Sequence, residues 1–407
     1  MTAASSASYA LSTMRSTARQ YRRRPLRDIA PANRRRLPTL GAATITRPRI
    51  GLVGVAIAGV ETQYRNLLRA VELSGAVEPL AVTVEPYRRD AMEWVLPFLP
   101  ASLRGTLRSV GGTAPLFLSQ VDAVWTQIDL PLLPWLLTVG ALRRVRLVYT
   151  ADSTPRLLRG FGHHYGHWGG RSRVKARLRD GLHAACLHRA ALVNPWTEWA
   201  ARSMREDYGV PPERVRVVPP GVDTEFWRPV ERPAGRVPRA IFVGGDFIRK
   251  GGDLLLAVFR ERFRGRLELD LVTRSEVQDE EGVRVHSGIG PNDTRLRRLY
   301  QEADFLVIPT RADCFSMAGL EAMSSGLPVI TSRVGGVGEL LDDGREGFLV
   351  PPDDGRSLGE AIQMLVVDPR RRARMGAAAR ALAAARYDAH RNASLLLSLL
   401  TEDASCD

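Results

Sequence analysis

Cysteine is scarce in this 407-residue sequence: Cys186, Cys314 and Cys406 are the only three. They are too few and too far apart for a disulfide framework or a zinc site, which fits a reducing compartment. Lysine is scarcer still. Of 58 basic residues only two, Lys175 and Lys250, are lysines. Long apolar runs are missing as well. The longest, Leu130–Leu142, contains two prolines and is too short to cross a bilayer. The first residues hold no apolar signal-peptide core, so a cytoplasmic location is expected. Aromatic residues make up 7% and do not interleave with the basic runs. No helix-turn-helix, zinc-finger or RNA-recognition pattern occurs, so no nucleic-acid partner is expected despite a net charge of +14.

Much of that charge sits at the start. Residues 1–48 carry ten arginines and a single acid, Asp28. With no sustained apolar period, this tail is expected to be disordered. A solvated extension is its simplest reading; attraction to anionic lipid and a transit peptide are the others. A second basic segment, Arg171–Arg189, has a helical pattern with Val174, Leu178, Leu182 and Ala185 on one stripe. The stripe reads first as core-facing, and second as peripheral contact with an anionic membrane at its inner face.

The remainder has the make-up of a soluble globular protein, 44% hydrophobic and 25% charged, with length for two domains. Short apolar runs alternate with helical patterns, the mark of parallel α/β sheets. Arg49–Ala58 reads as a buried first strand, followed by a loop with Gly59 and a helix over Thr62–Leu73. Strands over Pro79–Glu85, Asp122–Gln127, Val145–Thr150, Ala190–Asn194 and Arg214–Val218 complete a first sheet. Glu225–Pro238, with three prolines and no period, reads as a linker. A second series begins at once, with strands over Arg239–Val243, Leu267–Thr273, Val283–His286, Phe305–Ile308 and Pro328–Thr331. Its helices are expected over Gly252–Phe259, Asp293–Glu302, Met317–Ser325, Ser357–Val367 and Pro369–Arg386, before an amphipathic end at His390–Leu400. The fold class is therefore α/β, two Rossmann-like domains facing across a cleft, with ligands at the carboxyl ends of the strands. The divisions are a tail (1–48), a first domain (49–228), a second domain (229–385) and a C-terminal helix and tail (386–407).

Two segments carry chemistry. In the first, the strand ending at Pro309-Thr310 leads through Asp313, Cys314, Phe315 and Ser316 into a helix starting at Met317. The unpaired N–H groups of a helix start can hold a phosphate or sugar oxygen. Small residues at Ser316, Ala318 and Gly319 allow close approach. Asp313 and, eight positions on, Glu321 can grip two hydroxyl-bearing parts of one ligand; an N-cap Asp and a surface Glu would look the same. In the second, Gly244, Arg249 and Lys250 lie between a strand and a glycine-led helix, an arrangement suited to a diphosphate. In a chain with two lysines, one at this place suggests a need for a compact ammonium.

These segments resemble a known family. Asp313-x7-Glu321, continuing as EAMSSGLPVITSRVGG, is similar to the signature of the family 4 glycosyltransferases. Val193–Pro229 and Gly336–Asp354 are similar to the family's preceding and following blocks. The resemblance implies the GT-B fold, with the C-terminal helix packing back toward the first domain. It implies retaining transfer of a hexose-type sugar from a UDP- or GDP-linked donor to a hydroxyl of a glycan, lipid-linked or small-molecule acceptor. No cofactor or metal is implied, because the leaving phosphate can take the acceptor proton. By the same resemblance Arg249 and Lys250 neutralise the diphosphate, Asp313 touches the sugar, and Glu321 accepts from the ribose hydroxyls. The donor would also lie against Gly59, Gly244, Phe315, Ser316, Met317 and Ala318, with its base near Thr273, Ile289 and Gly290. Asp152 falls where relatives read His-Asp, with Ala151 at the histidine position, and is a catalytic and acceptor candidate. Thr154, His163, His164 and Tyr165 are further cleft candidates; a metal on His163 and His167 lacks a third ligand. The chain departs from the pattern at Asp313, usually Glu, and at Gly245, usually Arg. An epimerase, or a catalytically impaired nucleotide-sugar-binding protein, are the alternatives.

Overall fold

The computed structural model describes residues 47–55, 58–85, 101–127, 145–162, 164–165, 172–231 and 235–401. The basic start, the prolyl apolar run, His163, His167 and Cys406 lie outside them.

A first parallel sheet holds five strands in the order β2-β1-β3-β4-β5: β1 (Arg49–Val55), β2 (Glu78–Val84), β3 (Ala123–Thr126), β4 (Arg146–Ala151) and β5 (Leu192–Pro195). Around it lie α1 (Ala58–Ser74), α2 (Ala101–Gly112), α3 (Ala114–Leu118), α4 (Pro155–Gly160), α5 (Arg173–Arg189) and α6 (Glu198–Glu206). A second parallel sheet holds six strands in the order β11-β10-β9-β6-β7-β8. These are β6 (Arg239–Val243), β7 (Glu268–Val272), β8 (Val283–His286), β9 (Phe305–Ile308), β10 (Val329–Ser332) and β11 (Gly347–Val350). Its helices are α7 (Gly252–Arg262), α8 (Thr294–Glu302), α9 (Met317–Ser324), α10 (Gly355–Val367) and α11 (Pro369–Arg386). Central strands such as β9, with all four residues buried, have no polar face because helices cover both sides of the sheet.

The last helix, α12 (Ala389–Thr401), returns to the first sheet. Its Ala393, Leu396, Leu397, Leu399 and Leu400 share one buried cluster with Ile50, Leu52, Tyr64 and Leu67. Other contacts also tie the halves. The Glu339 carboxylate accepts from the backbone N–H groups of Glu198 (2.8 Å) and Trp199 (2.6 Å), capping α6 from the second half. Trp196, at the end of the first sheet, stands edge-on to Phe315 with ring centres 6.1 Å apart.

Several sequence expectations change. Arg214–Val218 is not a strand: a short turn at Pro212–Arg214 is followed by a single bridge from Val215 to Val193. Pro211 and Pro212 bar a regular approach to the sheet edge. The strand β11 was missed because Gly347 and the turn-forming residues before it mask a four-residue run. Glu225–Pro238 is no free linker, since Trp227 is fully buried edge-on against Tyr300. The stripe on α5 is not core-facing. Val174 and Leu178 are 77% and 63% exposed, while His183, Cys186 and Leu187 are buried, so only the C-terminal half of the helix packs.

Candidate active site

The order of the second sheet reverses between β6 and β9, which lie side by side, and such a switch point opens a crevice at the strand ends. The loops leaving these two strands carry the candidate residues. Residues 244–251 follow β6 and residues 309–316 follow β9. Backbone bonds join them, with Arg311 N–H donating to the Arg249 carbonyl at 2.9 Å. Gly251 turns the chain into α7 with φ +75°, and any Cβ there would lie 2.0 Å from the Pro309 carbonyl oxygen. Glycine is thus needed for both the left-handed backbone and the close approach.

The loops bring opposite charges together. Lys250 Nζ is paired with Asp313 Oδ2, their side chains 15% and 9% exposed. Burial pushes the Lys250 ammonium pKa down, and Asp313 opposes the shift. Arg249 is held by the Ala312 carbonyl at 2.7 Å and by Asp246 at 3.3 Å, and its Nη1 lies 3.7 Å from Asp313. The first half contributes Tyr165, whose ring lies 5.1 Å from the Arg249 guanidinium and whose hydroxyl is 3.8 Å from Cys314 Sγ. Asp152, just past β4, completes the cluster. Burial raises its carboxyl pKa, bonds from Ser153 and Cys314 lower it, and the facing Asp313 adds a further rise. Arg249, Lys250, Asp313, Asp152 and Tyr165 therefore meet at one place in the cleft.

The α9 start lies beside this cluster. Ser316 Oγ accepts from Gly319 N–H at 3.1 Å, so Ser316 is the N-cap. A Cβ on Gly59 would lie 2.9 Å from Met317 Cγ, so α1 and α9 begin against each other across the cleft. Glu321 is only 8% exposed, which removes the surface reading, and burial pushes its pKa up to about 8. Tyr300 Oη lies 3.1 Å from both Glu321 Oε2 and the Ala318 carbonyl. One hydroxyl hydrogen cannot serve both fully. Tyr300 shares its hydrogen between them, and its bond to Glu321 offsets part of the rise that burial causes.

Other candidates have different positions. Thr154 is fully buried, caps α4 through Leu157 N–H at 3.4 Å and bonds Ser203 at 2.8 Å, so its hydroxyl is committed to structure. Phe315 packs between Trp196 and Tyr387. Gly244 approaches Lys250, since a Cβ there would lie 2.9 Å from Lys250 Cβ. Thr273 follows β7 and is buried; Ile289 packs against the second core, and Gly290 follows it in the loop before α8. His164 N–H bonds the Phe161 carbonyl beside Tyr165. Position 245 has no side chain, and the guanidinium of Arg274 lies where one would be. Arg274 and Tyr300 were not foreseen; Arg274 lies over Gly245 and Tyr300 bonds Glu321, each on another element, and sequence spacing carries no signal for that. On the first half, Glu61 Oε2, Gln63 Nε2 and Gln127 Oε1 are buried polar atoms without a hydrogen-bond partner among the described residues. Gln63 and Gln127 bond each other at 3.1 Å, at the ends of α1 and β3 nearest the cleft.

Comparison with known proteins follows the same division. Residues 57–226 match the family model described as Glycosyltransferase Family 4, and residues 237–368 match the one described as Glycosyl transferases group 1. The chain belongs to these glycosyltransferases. It is 36% identical over 190 residues to an MMP alpha-(1->4)-mannosyltransferase of Mycolicibacterium hassiacum, covering 44% of this chain and 46% of that one. It is 31% identical over 221 residues to a D-inositol 3-phosphate glycosyltransferase of Acidothermus cellulolyticus, covering 47% and 49%. The chain thus spans about half the length of the curated relatives it matches. Among solved structures, sucrose-phosphate synthase of Thermosynechococcus elongatus superposes with a TM-score of 0.67 at 20% identity, over 87% of this chain and 98% of that one. Anabaena HepE in complex with UDP-glucose gives 0.60 at 16% identity, over 86% and 100%. The fold is GT-B.

Proposed function

We propose that this glycosyltransferase transfers a hexose-type sugar, with retention, from a UDP- or GDP-linked donor to a hydroxyl of a glycan, lipid-linked or small-molecule acceptor. The observation that carries the reading is the pairing of Arg249 and Lys250 with Asp313 at the switch point, beside the α9 start. Two cations and a helix start suit a diphosphate that gains charge as it leaves. In this reading the diphosphate displaces Asp313 from Lys250 and frees that carboxylate for the sugar hydroxyls. Glu321 holds the ribose. The bond from the anomeric carbon to the phosphate oxygen breaks and its electron pair goes to that oxygen, which takes the acceptor proton while the acceptor oxygen bonds the anomeric carbon on the same face. The protein supplies charge and orientation, so no separate base is required. The unpartnered atoms of Glu61, Gln63 and Gln127 suit acceptor hydroxyls. Leaving-group charge rests on the two cations, so EDTA is expected to leave the rate unchanged. The test is incubation with UDP- and GDP-hexoses, reading nucleoside diphosphate release and product anomer by NMR. Retention supports the reading; an inverted product, or a donor recovered only as its epimer, overturns it.

A membrane-bound acceptor is favoured by one observation. Val174 and Leu178 are exposed on α5 among the exposed Arg173, Lys175 and Arg177. Apolar side chains framed by cations suit an anionic lipid surface. Among the described residues no helix is long and apolar enough to cross a membrane. Binding to anionic but not neutral vesicles, lost in Val174→Ser/Leu178→Ser, supports the contact; no binding to either removes it.

A further inference from the structure

Arg274 follows β7 at the carboxyl edge of the second sheet, beside the loop that carries Lys250. Its backbone is fixed on both sides. Thr273 N–H bonds the His286 carbonyl at 3.2 Å, and Ser275 Oγ accepts from Phe247 N–H at 3.4 Å. The side chain is less well provided for. Arg274 Nε is shut off from solvent with no acceptor among the described residues. Among the described residues no ion pair is formed by its guanidinium, and the acids of the loops after β6 and β9 are engaged: Asp246 with Arg249, and Asp313 with Lys250. Arg274 is only half-buried, but leaving its buried Nε–H without an acceptor is costly, so this cation fits a site whose partner arrives from outside.

The glycines beneath it show where that partner would sit. A Cβ on Gly244 would lie 2.9 Å from Lys250 Cβ, and a Cβ on Gly245 would lie 2.5 Å from Arg274 Nη2 and 2.7 Å from its Cζ. Lys250 and Arg274 therefore rest on the same two residues of bare backbone, and any side chain at position 245 would evict the guanidinium. Three cations, Arg249, Lys250 and Arg274, converge on this loop against two carboxylates, Asp246 and Asp313.

We propose that Arg274 binds the diphosphate of the donor, as a third cation supplied from the neighbouring strand. This rests on the nucleotide-sugar reading above. A guanidinium presents two parallel N–H groups to phosphate oxygens, which a lone ammonium cannot do. Its charge would stabilise the negative charge that gathers on the leaving diphosphate.

The test is calorimetric titration of the full chain with UDP, GDP, UMP and GMP. Arg274→Ala is expected to weaken the preferred nucleoside diphosphate by about 10- to 100-fold and the matching monophosphate much less. Arg274→Lys should recover part of the loss. Gly245→Ala, which leaves Arg274 in the chain but takes its place, should reproduce the loss, and adding Arg274→Ala to it should weaken binding little further. If the wild type binds neither UDP nor GDP, the donor reading fails. If it binds and Arg274→Ala binds equally well, or loses mono- and diphosphate in equal measure, this assignment alone is overturned. Should Arg274→Ala not fold, Arg274→Lys and Gly245→Ala decide by the same comparison.

Discussion

Replacing Lys250 by alanine separates two consequences of one contact. Lys250 and Asp313 form an ion pair with most of both side chains buried. Removing one partner of such a pair typically costs about 3–5 kcal/mol, because the other charge is left buried and unpaired. Arg249 Nη1 remains 3.7 Å from Asp313 and covers part of that loss, so the expected cost is about 2–3 kcal/mol. Catalysis should suffer independently. Losing one donor aimed at developing charge typically lowers kcat by about 10²–10³. A second substitution tells the two apart. Lys250→Ala/Asp313→Asn removes both charges, so it should be more stable than Lys250→Ala by about 1–2 kcal/mol. It should not recover turnover. Urea denaturation gives the stabilities, and release of nucleoside diphosphate gives the rates. Near-normal turnover in Lys250→Ala would refute the assignment of this lysine. A double variant no more stable than the single one would refute the buried pair.

Further outcomes follow from three residues. Glu321, with its pKa pushed up to about 8, stays protonated in the fold while the unfolded chain ionises near 4.5, so stability should fall as pH rises between those values and level off above. Glu321→Gln should flatten that slope, whose full height is at most about 5 kcal/mol. If ribose prefers the carboxylate, nucleotide binding releases a proton and tightens with pH up to about 8; pH-independent affinity between 6.5 and 9 contradicts this. Gly335 has φ +50°, and a Cβ would lie 2.3 Å from the Asp313 carbonyl oxygen. Gly335→Ala should therefore shift the Asp313 loop and lower kcat by about 10²-fold, the usual result of an ångström-scale misplacement; unchanged kinetics would sink the claim. Leu396 on α12 is 1% exposed in the first half's core, so Leu396→Ala should cost about 2–5 kcal/mol in thermal or urea unfolding.

The second half was legible because its elements are short and sharply bounded. Arg239–Val243, Val283–His286 and Phe305–Ile308 form strands at the limits read from their apolar runs. The carboxylates of the site were legible as residues but not as partners. Spacing within one loop and helix suggested that Asp313 and Glu321 grip one ligand together. In the fold each first meets a residue from elsewhere, Lys250 for Asp313 and Tyr300 for Glu321. Those contacts depend on sheet order, which sequence periodicity does not encode. Arg274 was hidden for the same reason, its place at Gly245 being set by the pairing of β6 with β7. The exposed stripe of α5 was misread because an amphipathic period shows that a face exists and not what covers it.

The central claim, that the cleft between the sheets is a nucleotide-sugar site, is tested most directly by thermal denaturation of the full chain against a panel of UDP-, GDP- and other nucleotide-linked hexoses. A ligand at about 100 times its Kd stabilises the fold by about 2.7 kcal/mol, a shift of a few degrees. The account predicts that at least one UDP- or GDP-hexose and its parent diphosphate raise the midpoint, and that Lys250→Ala loses most of the shift. No shift with any nucleotide sugar, or an undiminished one in Lys250→Ala, would contradict it.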